Sequence, residues 1–423
     1  MSPYYNPIQL PLSKSIGARF LVASYFAGTL GAVPRMDDCD DLRVIQQALI
    51  DLLVSKEWLE AGEPPLDIHA SGTAFRFVTA VAASTPGADF LVTGTPRLCS
   101  RPMAPLLDVL RKAGAGIEAR GEGGTGPYHV IGKRLTGGEF EIRGDVSSQF
   151  ISALMLVAPT WKGGMKLKFT TPLVSRPYAE MTAKVMSKFG IGVRFSEHGV
   201  EVSEGEYLAP RDFKVEADWS AAGFFYEAAI INRSREVFVE GLTPPGISLQ
   251  GDSATAAIFE RLGINSEFSE KGVLIGAAPW FLPDYIEADM TDTPDLVPAL
   301  VAGCIGSACR FRFTGVRNLR VKESDRLEAL RREMFKLGYT LNVEEDAIEW
   351  RGGATPAHSR DIETYDDHRI AMAFAVMTIC GPTLRIHHPE VVDKSFEDFW
   401  NQLPKLGLEC RREGEYMEVK RVW

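Results

Sequence analysis

Met334-Phe335-Lys336-Leu337-Gly338 closes an amphipathic run that begins at Arg326, with Leu327, Leu330, Met334 and Leu337 at helical spacing. A cation in the last turn suits the negative end of a helix, and glycine supplies the left-handed residue that ends it. The same phrase occurs four more times: Leu110-Arg111-Lys112-Ala113-Gly114, Met186-Ser187-Lys188-Phe189-Gly190, Phe259-Glu260-Arg261-Leu262-Gly263 and Leu403-Pro404-Lys405-Leu406-Gly407. One such helix end is commonplace. Five whose glycines recur every 69 to 76 residues make a repeat.

One further period before Gly114 lies a helical run at 44–53, so six units of roughly 70 residues account for the chain. Second helices read at 73–83, 148–157, 221–231 and 369–380, with short strands at 90–93, 139–142, 165–169 and 237–239. The expected architecture is α+β (mixed α/β): two similar domains of three units, each unit with two helices and about four strands. Gly121-Glu122-Gly123-Gly124-Thr125-Gly126 matches the dinucleotide fingerprint GxGxxG, but Pro127 and the strand-like run 128–131 follow where a helix must open. It reads as a connection between strands.

The chain has 423 residues, 45% hydrophobic and 24% charged, as in an ordinary soluble enzyme of more than one core. A formal net charge of -10 argues against nucleic acid or an anionic membrane as partner. The six cysteines form no CxxC pair and no histidine cluster joins them; Cys304 and Cys309 read as core. The opening MSPYYNPIQLPLSKS has no basic start followed by an apolar run, and no stretch is long enough to span a membrane. A cytoplasmic protein is expected.

Several helix starts carry unusual chemistry. Arg320-Val321-Lys322-Glu323-Ser324-Asp325-Arg326 sets cations and a carboxylate at or just before a helix N-terminus, where N–H groups and the dipole favour an anion. Ser13-Lys14-Ser15-Ile16-Gly17-Ala18-Arg19 offers two hydroxyls and two cations before an apolar run, a combination suited to phosphate. Ser147-Ser148-Gln149 opens an uncharged helix. In Asp366-Asp367-His368-Arg369 the acids can cap the helix, while Arg369 stands against the dipole, as if an anion were expected there. Each start alone is a capped or solvated first turn.

Taken together, SKSIGAR (13–19), SGTAFR (71–76), SRPM (100–103), GDVSSQF (144–150), VSRPY (174–178), TPD (293–295), NLRVKESDR (318–326), YDDHRIAM (365–372) and DKSF (393–396) resemble the 5-enolpyruvylshikimate-3-phosphate synthases, in family order over nearly the whole length. The resemblance implies two domains of three βαβαββ-like units with helices packed inside sheets: 13–217, and 1–12 with 218–423, the active site in the cleft between them. It implies transfer of the enolpyruvyl group of phosphoenolpyruvate to the 5-hydroxyl of shikimate 3-phosphate, without cofactor or metal, in a monomer.

Carried over by position, shikimate 3-phosphate would meet Lys14, Ser15, Arg19, Ser147, Ser148, Gln149, Ser175, Asp295, Asn318 and Lys322. Phosphoenolpyruvate would meet Lys14, Gly72, Arg101, Gln149, Arg326, Arg369 and Lys394. Asp295 and Glu323 would move protons, with Lys14 and His368 beside them. The methylene carbon of phosphoenolpyruvate must be protonated before its neighbour is attacked. A carboxylic acid in a dry pocket could do this, and Glu323 is the candidate, with Asp295 as the base for the 5-hydroxyl.

The match has departures. Ala70-Ser71-Gly72-Thr73 lacks the family's Asn, Phe77 stands where many members have Pro, and Leu12 and Ala18 replace a common Gly and Asn. The runner-up is the enolpyruvyl transferase acting on UDP-N-acetylglucosamine, which uses a reactive Cys; Cys99 lies in the corresponding loop, two residues before Arg101 instead of five. A catalytically inactive, ligand-binding relative is the other alternative.

Overall fold

The computed structural model describes residues 6–54, 64–278 and 281–422. The chain divides into two compact units, one of Lys14–Val215 and one of Met1–Ser13 with Glu216–Trp423. Five sheets are present among the described residues. Four of them, spanning 65–131, 136–202, 285–350 and 361–421, share one topology. Their strands lie in the order first, second, fourth, third; the first two are parallel and the remaining neighbours antiparallel. A helix joins the first strand to the second and another joins the second to the third, giving βαβαββ in each. Parallel neighbours need such a crossover, and antiparallel ones need only a tight turn.

The fifth sheet, built from Val237–Glu240, Ile264–Ser269 and Gly272–Ala277, lacks a first strand of its own. Ile8 fills that place. It bridges Val239 in parallel, donates its N–H to the Phe238 carbonyl at 2.8 Å and accepts from Glu240 N at 3.0 Å. The N-terminal residues therefore belong with 216–423. Residues 14–54 of the other unit supply two helices, Lys14–Phe26 and Asp40–Val54, and no strand among them. The expected four strands per unit thus hold for four of the six repeats; the fifth sheet has three strands and the bridge at Ile8, and 14–54 has none.

The first helix of each repeat is apolar around most of its circumference, which is the signature of a buried helix. Val297–Gly306 carries no charge and nine of its ten residues are buried. Gly72–Ser84, Ser148–Val157, Trp219–Ile231 and His368–Met377 are similarly enclosed. These inner helices pack on one another within each unit: Lys14–Phe26, Gly72–Ser84 and Ser148–Val157 in one, and Trp219–Ile231, Val297–Gly306 and His368–Met377 in the other. Fully burying a side chain such as Leu300 contributes about 1.5–3 kcal/mol. Gly303 sets one helix spacing, since a Cβ there would lie 2.9 Å from Ile230 Cγ2.

The second helices, such as Arg326–Lys336, are amphipathic, and the repeat glycines end them as expected. Gly114, Gly190, Gly263, Gly338 and Gly407 all have positive φ, between 74° and 107°. The GxGxxG decoy is a short turn, Glu122–Gly124, between strands Gly116–Ala119 and Tyr128–Ile131. Cys304 and Cys309 lie in the core. Among the described residues no helix is long and apolar enough to cross a membrane.

Glu227 is the anomaly of this core. It is fully buried on the inner helix Trp219–Ile231, and neither carboxylate oxygen meets a hydrogen-bond donor among the described residues. Burial pushes its carboxyl well above the ordinary range. A folded-state pKa above the unfolded one gives stability that is complete below the unfolded value, near 4.5, and is lost as pH rises through the folded value. Glu227→Gln has no such proton to lose. In denaturant titrations from pH 5 to 8 the variant should gain on the wild type with rising pH, by up to about 1.4 kcal/mol per pH unit until Glu227 ionises. A stability difference that stays constant across that range would sink the assignment.

Candidate active site

Within Lys14–Val215, most of the expected site residues lie at the N-terminal ends of the three inner helices. Lys14 opens the first, and its Nζ lies 3.1 Å from Asp41 Oδ2 in the first turn of Asp40–Val54. Gly17 lets these helices meet, because a Cβ there would fall 2.7 Å from Leu42 Cδ2. Arg19 is 2% exposed. It donates to Thr182 Oγ1, the Ser15 carbonyl, Ser152 Oγ and the Tyr178 carbonyl at 2.7–3.1 Å. All four acceptors are neutral, and burial lowers its pKa to about 10. Phe77, one of the departures noted above, lies beside Arg19, with its ring centroid 5.5 Å from the guanidinium carbon.

Ser71 caps the second inner helix, accepting from Ala74 N at 3.3 Å, and Gly72 begins it. A Cβ on Gly72 would lie 2.5 Å from Arg101 Nη1 and 2.9 Å from Arg76 Nη1. Two guanidinium groups thus converge where only glycine fits, an arrangement suited to an anion. Arg76 also donates to the Gly72 carbonyl at 2.8 Å. Ser147 caps the third inner helix by accepting from Gln149 N at 3.3 Å, with Ser148 buried beside it. Gln149 Nε2 reaches Thr73 Oγ1 at 3.0 Å, which ties the second and third helix starts together. Ser175 is buried, with φ 53°, just before Arg176–Lys188.

The second unit holds a denser cluster centred on Arg326, which is 1% exposed. Its Nε and Nη2 donate to Asp367 at 2.8 and 3.3 Å, Nη1 to Asp295 Oδ1 at 2.9 Å, and Nη2 to Glu323 Oε2 at 2.7 Å. Burial opposes the charge of Arg326, yet the three carboxylates outweigh it and hold the guanidinium well above its usual range. Asp295 also takes Arg369 Nη2 at 3.0 Å and Lys322 Nζ at 3.5 Å. Burial would raise the carboxyl of Asp295, but Arg369, Lys322 and Arg326 prevail and keep it well below the ordinary range.

Glu323 has a cation at each oxygen, Arg326 on one and Lys394 Nζ at 3.7 Å from the other. Its surroundings are therefore cationic, whereas a standing acid in a dry pocket would have no cation beside it. Asp367 caps His368–Met377 through Arg369 N at 3.1 Å and accepts from Ser324 Oγ at 3.0 Å. His368 is buried at the first position of that helix. Asn318 lies in the turn Arg317–Val321. Asp325 caps the outer helix by accepting from Glu328 N at 3.1 Å, and Arg320 pairs with it at 3.3 Å, so both have structural partners.

Four residues of this chemistry escaped the sequence reading as site members: Asp41, Arg76, Asp252 and, as more than a cap, Asp367. Asp252 is buried beside the first turn of Trp219–Ile231, where Ser220 donates to it. Burial first, then the nearby charge of Asp295, push its carboxyl up to about 6. Arg76 and Asp367 sit inside quoted phrases and carried that much signal. Asp41 and Asp252 had none, since nothing local marks an acid that will meet a cation or another acid from elsewhere in the chain.

Known proteins bear on this arrangement. Residues 4–403 match the family model for EPSP synthase (3-phosphoshikimate 1-carboxyvinyltransferase). A 3-phosphoshikimate 1-carboxyvinyltransferase of Bacteroides fragilis is 40% identical over 404 residues, covering 95% of each chain. One from Syntrophobacter fumaroxidans is 35% identical, covering 94% of this chain and 96% of its own. Two solved structures show the same fold. The EPSP synthase of Acinetobacter baumannii is 22% identical with a TM-score of 0.67 over 98% of each chain. The enolpyruvyl transferase NikO of Streptomyces tendae is 14% identical with a TM-score of 0.68 over 96% of this chain and 95% of its own. With the family model spanning almost the full length and relatives this similar, the chain belongs to the EPSP synthase (3-phosphoshikimate 1-carboxyvinyltransferase) family.

Proposed function

We propose that this protein transfers the enolpyruvyl group of phosphoenolpyruvate to the 5-hydroxyl of shikimate 3-phosphate and releases phosphate, a step towards chorismate. The observation that carries this reading is the gathering of Lys322, Arg326, Arg369 and Lys394 around Asp295 and Glu323 in a chain of net charge -10. Both substrates are phosphorylated anions, and fixed cations stabilise them without reorganising during the reaction.

Protonation of the methylene carbon makes the adjacent carbon electrophilic. The 5-oxygen attacks it as its own proton leaves to a base. Loss of a methyl proton then expels phosphate and restores the double bond. Asp295 is ionised, as a base must be, and it gains basicity when the anionic substrates draw Arg369, Lys322 and Arg326 away from it. Glu323 is the proposed acid. Its contacts with Arg326 and Lys394 suggest how it is switched: the incoming phosphoenolpyruvate competes for those cations and leaves Glu323 to carry a proton.

In the proposal Lys14, Ser15, Arg19, Ser175, Asn318 and Lys322 hold shikimate 3-phosphate, together with the helix start Ser147-Ser148-Gln149. Arg101, with the cradle at Gly72, meets phosphoenolpyruvate along with Arg326, Arg369 and Lys394. His368 lies next to Arg369 as a further proton carrier. Of the five N–H groups of Arg19, four are donated within its own unit, which leaves one for a ligand. The chemistry calls for no cofactor, and a cytoplasmic monomer completes the proposal.

The UDP-N-acetylglucosamine reading needs a reactive thiolate, but Cys99 is buried, and burial raises its thiol above the usual range. Cys99→Ser should accordingly keep turnover within about two-fold, inside the spread of a small buried exchange; abolished turnover would revive that alternative. The direct assay is phosphate release from phosphoenolpyruvate, which should depend wholly on shikimate 3-phosphate. Binding of shikimate 3-phosphate with no phosphate release would identify an inactive relative instead. Glu323→Gln should lower kcat by about 100-fold or more while shikimate 3-phosphate still binds. Near-normal kcat in that variant would remove Glu323 from the proton path.

A further inference from the structure

Asp367 and Arg369 reach the Arg326 cluster from a tight turn with an unusual backbone. Thr364 O accepts from Asp367 N at 2.9 Å, and the two residues between, Tyr365 and Asp366, have φ of 55° and 56°. A turn with both central residues left-handed ordinarily uses Gly, Asn or Asp, and a bulky aromatic residue there is an outlier. Such a conformation persists only where its surroundings impose it.

The imposing group is Glu333, 0% exposed, on the outer helix Arg326–Lys336. Its Oε1 accepts from the Tyr365 hydroxyl at 2.6 Å. Its Oε2 accepts from Glu363 N at 3.1 Å and from Lys336 Nζ at 2.6 Å. Lys336 Nζ in turn donates to the Asp361 carbonyl at 3.1 Å. Burial, and then the bond to Glu333, push the Tyr365 hydroxyl up, so it stays a donor.

Glu333 follows Arg326 by two helical turns and so faces the same way, about 10 Å further along the axis. One helix therefore grips the segment 363–367 at two points. Glu333 holds its start, and Arg326 holds its end through Asp367. We infer that Glu333 is a positioning residue for the reaction: by holding Tyr365 and the Glu363 backbone, it fixes the left-handed turn that delivers Asp367 to Arg326 and Arg369 to Asp295. The inference rests on the reaction proposed above for its kinetic consequence, and on geometry alone for its structural one.

Two measurements test it. In a crystal structure of Glu333→Ala, Tyr365 and Asp366 should leave positive φ and Arg369 should separate from Asp295. An unchanged turn and pair would overturn the inference whatever the reaction proves to be. In kinetics, Glu333→Ala should lower kcat and raise KM for phosphoenolpyruvate by about 10- to 100-fold in kcat/KM, the scale of lost orienting contacts. KM for shikimate 3-phosphate should stay near the wild-type value. Tyr365→Phe, which removes a single hydroxyl, should show the same split to a smaller degree, and Glu333→Gln, which keeps an acceptor for that hydroxyl, should recover most of the loss. A fall in melting temperature with wild-type kcat and KM, or an equal rise in both KM values, would make Glu333 a structural residue only. Absence of any wild-type phosphate release would instead fail the proposed reaction, and the crystal structure would still decide the inference.

Discussion

A guanidinium group removed from water must have its N–H groups met by acceptors, and at Arg326 carboxylates meet them, which organises one whole unit of the protein. Leaving such a group unpaired costs several kcal/mol, so Asp295, Glu323 and Asp367 are drawn to it from three separate segments. Asp295 precedes one inner helix and Asp367 caps another, while Glu323 lies three residues ahead of Arg326 itself. The ion cluster and the packing of the inner helices thus specify one another. A shift of either helix start would strand a buried charge.

The same pairing resolves the tension between a net charge of -10 and anionic ligands. The cations are not a bare patch. Lys14 leans on Asp41, Lys322 and Arg369 on Asp295, and Lys394 on Glu323. Each carboxylate keeps its cation in place, and under the proposed function a substrate phosphate would displace it. In the other unit Arg19 is satisfied by hydroxyls and carbonyls, which position it without cancelling its charge. Both arrangements hold positive charge in place against the burial that opposes it at Arg19 and Arg326.

The repeat was legible because it is written locally. A cation, a glycine and an apolar face end a helix by short-range physics, and all five repeat glycines adopt the conformation that the pattern requires. The inner helices were legible for a similar reason, since a run of ten to thirteen residues with at most one charge has nowhere to lie but inside. Ile8 as a strand partner of Val239 was not legible, for a single bridge across that sequence distance leaves no periodicity. At the site, helix starts such as Lys14-Ser15 and Asp367-His368-Arg369 could be read, but not which acid would face which base. Asp252 and Glu333 sit in ordinary contexts, and only the tertiary fold gives them cations, carboxylates or hydroxyls to meet.

The placement of Ile8 has a consequence for how the chain is made. Ser13 N donates to the Glu216 carbonyl and Leu12 bridges Ala217, so the residues flanking Lys14–Val215 lie side by side. The unit Lys14–Val215 is, in topological terms, a passenger spliced into a connection of its neighbour. On the ribosome the edge strand at Ile8 emerges first, and its partner at Val237–Glu240 follows only after a complete second unit has passed. Until then the leading strand has no sheet to join. Order of synthesis therefore favours the interior unit folding first, and its closure brings the two flanking segments together so that the outer sheet is completed across a short gap instead of a long loop.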